Sequence, residues 1–141
     1  MRSRIHKNGL THQVKYHGDF EQEGLREFFK EVSVVSVPVR KGEAFGIYLL
    51  EAMASGIPIV QPALGAFPEI VKLSRGGITF EPNTPEALLE ALKTLLSDAE
   101  KLDAFAVQAR KGVEEKFHVD GQVKDMLKVY EGLAMKLNEE A

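Results

Sequence analysis

The sequence predicts an α/β protein with a mostly parallel sheet, helices flanking that sheet, and a run of helices at its end. Three observations carry this. Short β-rich runs alternate with amphipathic stretches as far as Asn83, which is the pattern of strand–helix–strand units. From Pro85 onward apolar residues recur only at helical spacing. A chain of 141 residues, 44% hydrophobic and 28% charged, is long and apolar enough for one domain with its own core.

The elements follow in order. Residues 14–17 read as a short strand, punctuated by Gly18 and Asp19. Residues 22–31 read as a helix with Leu25, Phe28 and Phe29 on one side. Residues 32–39, V-S-V-V-S-V-P-V, are a β-rich run closed by the polar Arg40, Lys41 and Gly42. A helix is expected over residues 45–55; Gly56 and Pro58 end it and open a strand that reaches Gln61. A short helix from Ala66 or Phe67 to Leu73 has Pro68 in its first turn, where the missing N–H is harmless. Gly76 and Gly77 break the chain before a last strand, residues 78–81.

Thr84-Pro85-Glu86 is then a helix start, with a capping hydroxyl, a proline and an acid in the first turn. Leu88, Leu89, Leu92, Leu95 and Leu96 make its apolar stripe. Ser97 and Asp98 end that helix or cap the next, residues 99–116. Phe117 and His118 mark a break, and residues 121–137 form a third helix with Leu127, Tyr130 and Leu133 on one stripe. The last residues, Asn-Glu-Glu-Ala, are expected to fray. The strand–helix part thus spans about 13–83 and the helical part about 84–138 of a single domain.

Composition excludes several classes. The net charge is −3, whereas a nucleic-acid binder usually carries a basic surplus. There is no cysteine, so neither a disulfide framework nor a thiolate metal site. His6, His12, His17 and His118 are scattered without ligand spacing, so no metal is expected. No apolar run nears the roughly 18 residues a membrane span needs. The basic start lacks the apolar centre of a secretion signal. A cytoplasmic protein is expected.

The most informative stretch is G-E-A-F-G-I-Y-L-L-E-A-M-A-S-G-I-P, from Gly42 to Pro58. One carboxylate, Glu43, stands at the mouth of a helix and a second, Glu51, inside it. A helix start offers unpaired N–H groups and a positive dipole end, a seat for hydroxyls or phosphates. At roughly 1.5 Å per residue the step between the two acids covers about 12 Å. Glu51 lies in an apolar run, and its helical neighbours Ile47, Tyr48, Ala54 and Ser55 include no base. Its carboxylate reaches solvent, a partner elsewhere in the fold, or a ligand. A helix whose polar edge surfaces at Glu51 explains it equally well, and an acid near a helix start is favoured whatever the function. Arg40 and Lys41 suit either a phosphate or, more simply, a solvated turn. Gly65 suits either close ligand approach or a turn. Tyr48 and Met53 are most simply core.

The order of motifs goes further. Glu43 and Glu51, with Phe45-Gly46 and the run Glu51-Ala-Met-Ala-Ser-Gly-Ile-Pro58, resemble the E-x7-E signature of the retaining glycosyltransferases of GT-B fold, above all the large family 4. Tyr16-His17-Gly18, Val34 to Pro38, Gly65-Ala66-Phe67-Pro68-Glu69-Ile70-Val71 and Gly76-Gly77-Ile78 resemble the flanking motifs, with Ala66 where glycine is usual. The likeness covers about residues 10 to 130.

The resemblance implies a partial Rossmann-like sheet, the later part of a GT-B C-terminal, donor-binding domain. The acceptor domain would be missing, with the first two strand–helix units and their basic pair, unless a partner chain supplies them. The 14–17 strand would then lack its usual neighbour and either be shared in a homodimer or slide beside residues 34–37. Glu43, the catalytic residue by resemblance, would accept hydrogen bonds from donor-sugar hydroxyls as a positioning group. The N–H groups of Phe45, Gly46 and Ile47 would meet sugar or phosphate oxygens, and Glu51 the ribose hydroxyls. A nucleotide-diphosphate sugar would be the donor substrate, with no cofactor. The fragment would be inactive alone, and the full-length enzyme cytoplasmic or peripheral to the membrane. Two other readings compete: a free-standing nucleotide or nucleotide-sugar binding module completed by a partner, and a flavodoxin-like signalling domain. This chain lacks the early acidic pocket cluster that the last would need.

Overall fold

A computed structural model describes residues 2–18 and 22–139. Its element order is α1 (Arg2–Lys7), α2 (Gln22–Lys30), α3 (Ile47–Ala54), β1 (Ile59–Pro62), α4 (Phe67–Ser74), β2 (Gly77–Phe80), α5 (Pro85–Leu96), α6 (Ala99–Lys116) and α7 (Val119–Glu139), with a single 3-10 turn at Thr11–Gln13. The fold is mixed α/β around a small parallel sheet. β1 and β2 pair in parallel, Ile59 opposite Gly77 and Pro62 opposite Phe80. An isolated parallel bridge, Val35 to Ile59, lies on the other edge of β1. The Val35 N–H donates to Pro58 and its carbonyl accepts from Val60, both at 3.0 Å.

β1 is buried along its whole length, and its alternation serves two cores at once. Ile59 joins Leu49, Ala52, Met53, Phe67, Ile70 and Ala109 beneath α3, α4 and α6. Val60, pointing the other way, joins Phe80, Ala91 and Leu95 beneath α5. Gln61 is buried too, at 0% exposure. Its amide donates to the Val37 carbonyl at 2.9 Å and accepts the Val37 N–H at 3.1 Å. A side chain here stands in for the ladder that the backbone has left off. Glycines let α6 close on the sheet: a Cβ on Gly112 would run into the Ser74 backbone, and one on Gly76 into Ala109. The caps are those expected. Thr84 Oγ1 accepts from the Ala87 N–H at 3.3 Å, and Asp98 Oδ1 from the Lys101 N–H at 3.0 Å.

Several expectations differ from the structure. Residues 14–17 form no strand; they run extended without a ladder. Strand geometry needs a partner backbone, and side chains hold this stretch instead, with Lys15 on Glu31 at 3.3 Å and Arg2 over the Tyr16 ring at 4.7 Å. Nor does it slide beside residues 34–37. The β-rich run 32–39 contributes one bridge and no regular strand, since Pro38 has no N–H to give and Val37 is taken by Gln61. The helix expected over 45–55 starts later, at Ile47, because Gly46 sits at φ 85°. α1 was not expected, and none of its residues is buried. Asp19 of the expected turn, and residues 140 and 141 of the expected frayed end, lie outside the described residues.

Candidate functional site

Two loops leave the carboxyl edge of the sheet side by side, residues 40–46 after the bridged segment and residues 63–66 after β1. They cross at glycines. A Cβ on Gly42 would stand 2.9 Å from the Gly65 N, and one on Gly65 would collide with the Glu43 backbone. The Ala66 N–H donates to the Glu43 carbonyl at 3.3 Å. Gly65, at φ 55°, therefore makes room for the Glu43 loop itself, so the close approach is backbone to backbone.

The mouth of α3 comes next. Gly46, left-handed at φ 85° and ψ 61°, caps the helix with no side-chain bond. The first closing bond runs from the Leu49 N–H to the Gly46 carbonyl at 2.9 Å. Among the described residues the N–H groups of Phe45, Gly46 and Ile47 donate to no protein acceptor. Phe45 is 40% exposed and Ile47 66%, while Gly46 between them is buried; the three donors stand at the positive end of α3. Phe45 packs edge-on against Phe117, with ring centroids 6.3 Å apart.

Glu43 is half-buried, and Tyr48 Oη donates to its Oε2 at 3.1 Å. Burial foremost, then the hydrogen bond to Glu43 and its negative charge, push the Tyr48 phenol up to about 12. Glu51 is exposed. It shares the outer stripe of α3 with Ile47 and Ala54, opposite buried Leu49, Ala52 and Met53. Its carboxylate has no hydrogen bond or ion pair among the described residues. The structure thus sets Glu43 over the first turn of α3, through Tyr48, and Glu51 three residues beyond Tyr48 on the same helix. Arg40 and Lys41 are exposed at the base of the loop.

Sequence reasoning missed two contacts. Tyr48 is no plain core residue; a phenol five positions after an acid, across a helix start, was the available signal. Phe117 was read only as a helix break, and nothing local to it points to Phe45. Chemically the site offers three free backbone donors, one carboxylate held in place and one open to solvent. Among the described residues no three His, Asp or Glu side chains gather as metal ligands. None of the described helices is long and apolar enough to cross a membrane.

The family described as Glycosyl transferases group 1 matches residues 1–112. An uncharacterised glycosyltransferase of Methanocaldococcus jannaschii is 33% identical over 129 residues, 92% of this chain and 33% of its own length. The D-inositol 3-phosphate glycosyltransferase of Streptomyces griseus is 32% identical over 101 residues, 72% of this chain and 21% of its own. Among solved structures, a sucrose-phosphate synthase from Thermosynechococcus elongatus superposes with a TM-score of 0.82 at 24% identity, covering 96% of this chain and 34% of that one. An Anabaena protein in complex with UDP and glucose superposes with a TM-score of 0.78 at 24% identity, covering 91% and 35%. At that identity the likeness shows the fold alone. The chain spans about a third or less of the length of these relatives.

Proposed function

This chain belongs to the group 1 glycosyl transferases, and on that premise we propose that it forms the nucleotide-sugar site of a retaining glycosyltransferase that moves a hexosyl group to an acceptor. The observation that carries the reading is the set of free N–H groups at Phe45, Gly46 and Ile47, set between Glu43 and Glu51. A diphosphate presents oxygen acceptors and negative charge, and a helix mouth supplies donors and the opposite pole. Gly46 supplies the left-handed turn that starts the helix, at φ 85°, and a Cβ there would press on Phe67 and Leu49 in the core. Glu43 accepts hydroxyls of the donor sugar, and Glu51 accepts the paired hydroxyls of the ribose. In the reaction the bond from the anomeric carbon to the diphosphate breaks, a bond from that carbon to an acceptor oxygen forms on the same face, and the proton of the acceptor hydroxyl passes to the leaving diphosphate. The negative charge that develops on the leaving diphosphate falls on the free amides. Glu43 positions the sugar and forms no bond to it.

The proposed unit is one domain, a strand–helix part over about 13–83 and a helical part over about 84–138, with the acceptor side supplied by a further domain or a partner chain. The isolated chain is then expected to bind donor without transferring sugar. The second reading, a free-standing binding module completed by a partner, draws support from the exposed apolar side chains of α7.

Calorimetric titration with UDP, GDP and ADP, and with their sugars, tests the proposal. Hydrogen bonds to a charged group are worth about 1.5–3 kcal/mol, so Glu51→Ala should weaken nucleoside diphosphate binding by roughly tenfold or more. The melting temperature should stay put, because Glu51 is exposed and has no partner among the described residues. Unchanged affinity would remove Glu51 from the site, and glycosyl transfer by the purified chain would overturn the division of labour.

A further inference from the structure

Glu43 is fixed by its backbone through the Ala66 N–H and, among the described residues, by its side chain through a single group, the Tyr48 phenol. Tyr48 is the second residue of α3 and packs against the larger core cluster. Its ring is therefore anchored, while its hydroxyl leans out over the helix mouth. A phenol has one hydrogen to give, and an ionised carboxylate has about four places to accept one. We propose that Tyr48 is a positioning residue for the donor sugar: it holds Oε2 of Glu43 at 3.1 Å and so leaves Oε1 aimed to accept sugar hydroxyls.

This rests on the function proposed above and adds a residue to it. A free glutamate side chain populates many rotamers, and a ligand that needs one of them must freeze the others out. Tyr48 does the freezing before the ligand arrives. The hydrogen bond reaches only the sugar end of the site, because Glu51 and the free amides do not depend on it. Tyr48 should therefore affect recognition of the sugar and leave recognition of the nucleotide alone. A tyrosine whose hydroxyl merely completes the packing would affect neither.

The experiment is calorimetric titration of the full chain with UDP-glucose, GDP-mannose and ADP-glucose, each beside its free diphosphate. The quantity read is the ratio of affinities with and without the sugar. We expect at least one pair in which the sugar tightens binding. Tyr48→Phe, which keeps the ring and its packing, should cut that gain by roughly tenfold and leave the diphosphate affinity unchanged. In a Glu43→Ala background the same substitution should have no further effect, since Tyr48 acts through Glu43. A sugar gain that survives Tyr48→Phe overturns the inference and leaves the proposed function standing, as does a wild type for which the sugar adds nothing. A wild type that binds no diphosphate and no sugar overturns the proposed function, and this inference with it.

Discussion

Tyr48 and Glu43 are a pair whose physics can be read without any ligand. Burial is the first cause that raises the phenol to about 12, and the hydrogen bond and charge of Glu43 are the second and third. Glu43→Gln removes the charge and keeps an acceptor. It should bring the Tyr48 ionisation down from about 12 toward, but not to, the ordinary value near 10. Nuclear magnetic resonance of ring-labelled tyrosine checks this; an unmoved midpoint would mean that burial alone sets it. The sign for stability follows. A phenol raised in the folded state contributes fully below its unfolded value near 10 and loses that contribution as the pH rises through about 12. Tyr48→Phe should therefore flatten the loss of stability over that window and, by removing the hydroxyl that Glu43 accepts from, cost about 0.5–1.5 kcal/mol near neutrality. Chemical denaturation at stepped alkaline pH gives the comparison.

At the scale of elements, the same glycine residue type plays opposite parts on two helices. Gly112 of α6 faces the Ser74 backbone with no room for a methyl group, whereas a Cβ on Gly132 of α7 would meet nothing within 4 Å. Gly112→Ala must push α6 off the end of α4, and overpacking of this kind costs about 1–3 kcal/mol. Gly132→Ala should instead stabilise its helix by about 0.5–1 kcal/mol, the ordinary gain of alanine over glycine. Thermal melts followed by circular dichroism should show a lowered midpoint for the first and added helicity for the second. The sheet offers a third test. Gln61→Leu keeps roughly the volume on β1 but leaves the Val37 N–H and carbonyl without their partner. Val37 is itself 40% exposed, so water takes up part of the lost bonding and the cost should be about 1 kcal/mol. The segment before the Glu43 loop should then loosen, seen as faster hydrogen exchange at Val35 and Val37, while β1 to β2 pairing holds.

For the molecule as a whole, α7, like the short α1, stands apart from the packed body. No other element packs along it to any extent among the described residues. Val123, Met126, Leu127, Tyr130 and Leu133 are each between 51% and 60% exposed. A helix with an apolar face this long is stable in water only against something else. We expect association at micromolar concentration, by way of α7, with a second copy in the absence of another domain. The 14–17 segment, which forms no strand, is not expected to supply the contact. Light scattering on the chain and on one shortened after His118 tests both points. The shortened chain should be monomeric and keep its melting temperature within a few degrees, since α7 adds little to either core. Identical scattering from the two would place the contact elsewhere.

The local chemistry was legible in the sequence. Thr84 and Asp98 cap helices because their side chains reach the backbone two or three residues on, and that needs no tertiary partner. The periodicity of residues 99–116 marked α6 to its ends. The ordered motifs from Glu43 to Pro58 and from Gly65 to Val71 pointed to the family. What the tertiary structure alone decided is pairing. Residues 14–17 and 32–39 have the β-branched content of strands, yet a strand exists only where another backbone takes its hydrogen bonds. Residues 14–17 join no ladder among the described residues, and one side-chain amide, Gln61, replaces part of the ladder for residues 32–39. Gly65 turned out to accommodate a neighbouring loop, and Tyr48 to hold a carboxylate, because both roles are set by which parts of the chain fold across each other. Composition and spacing carry no record of that crossing.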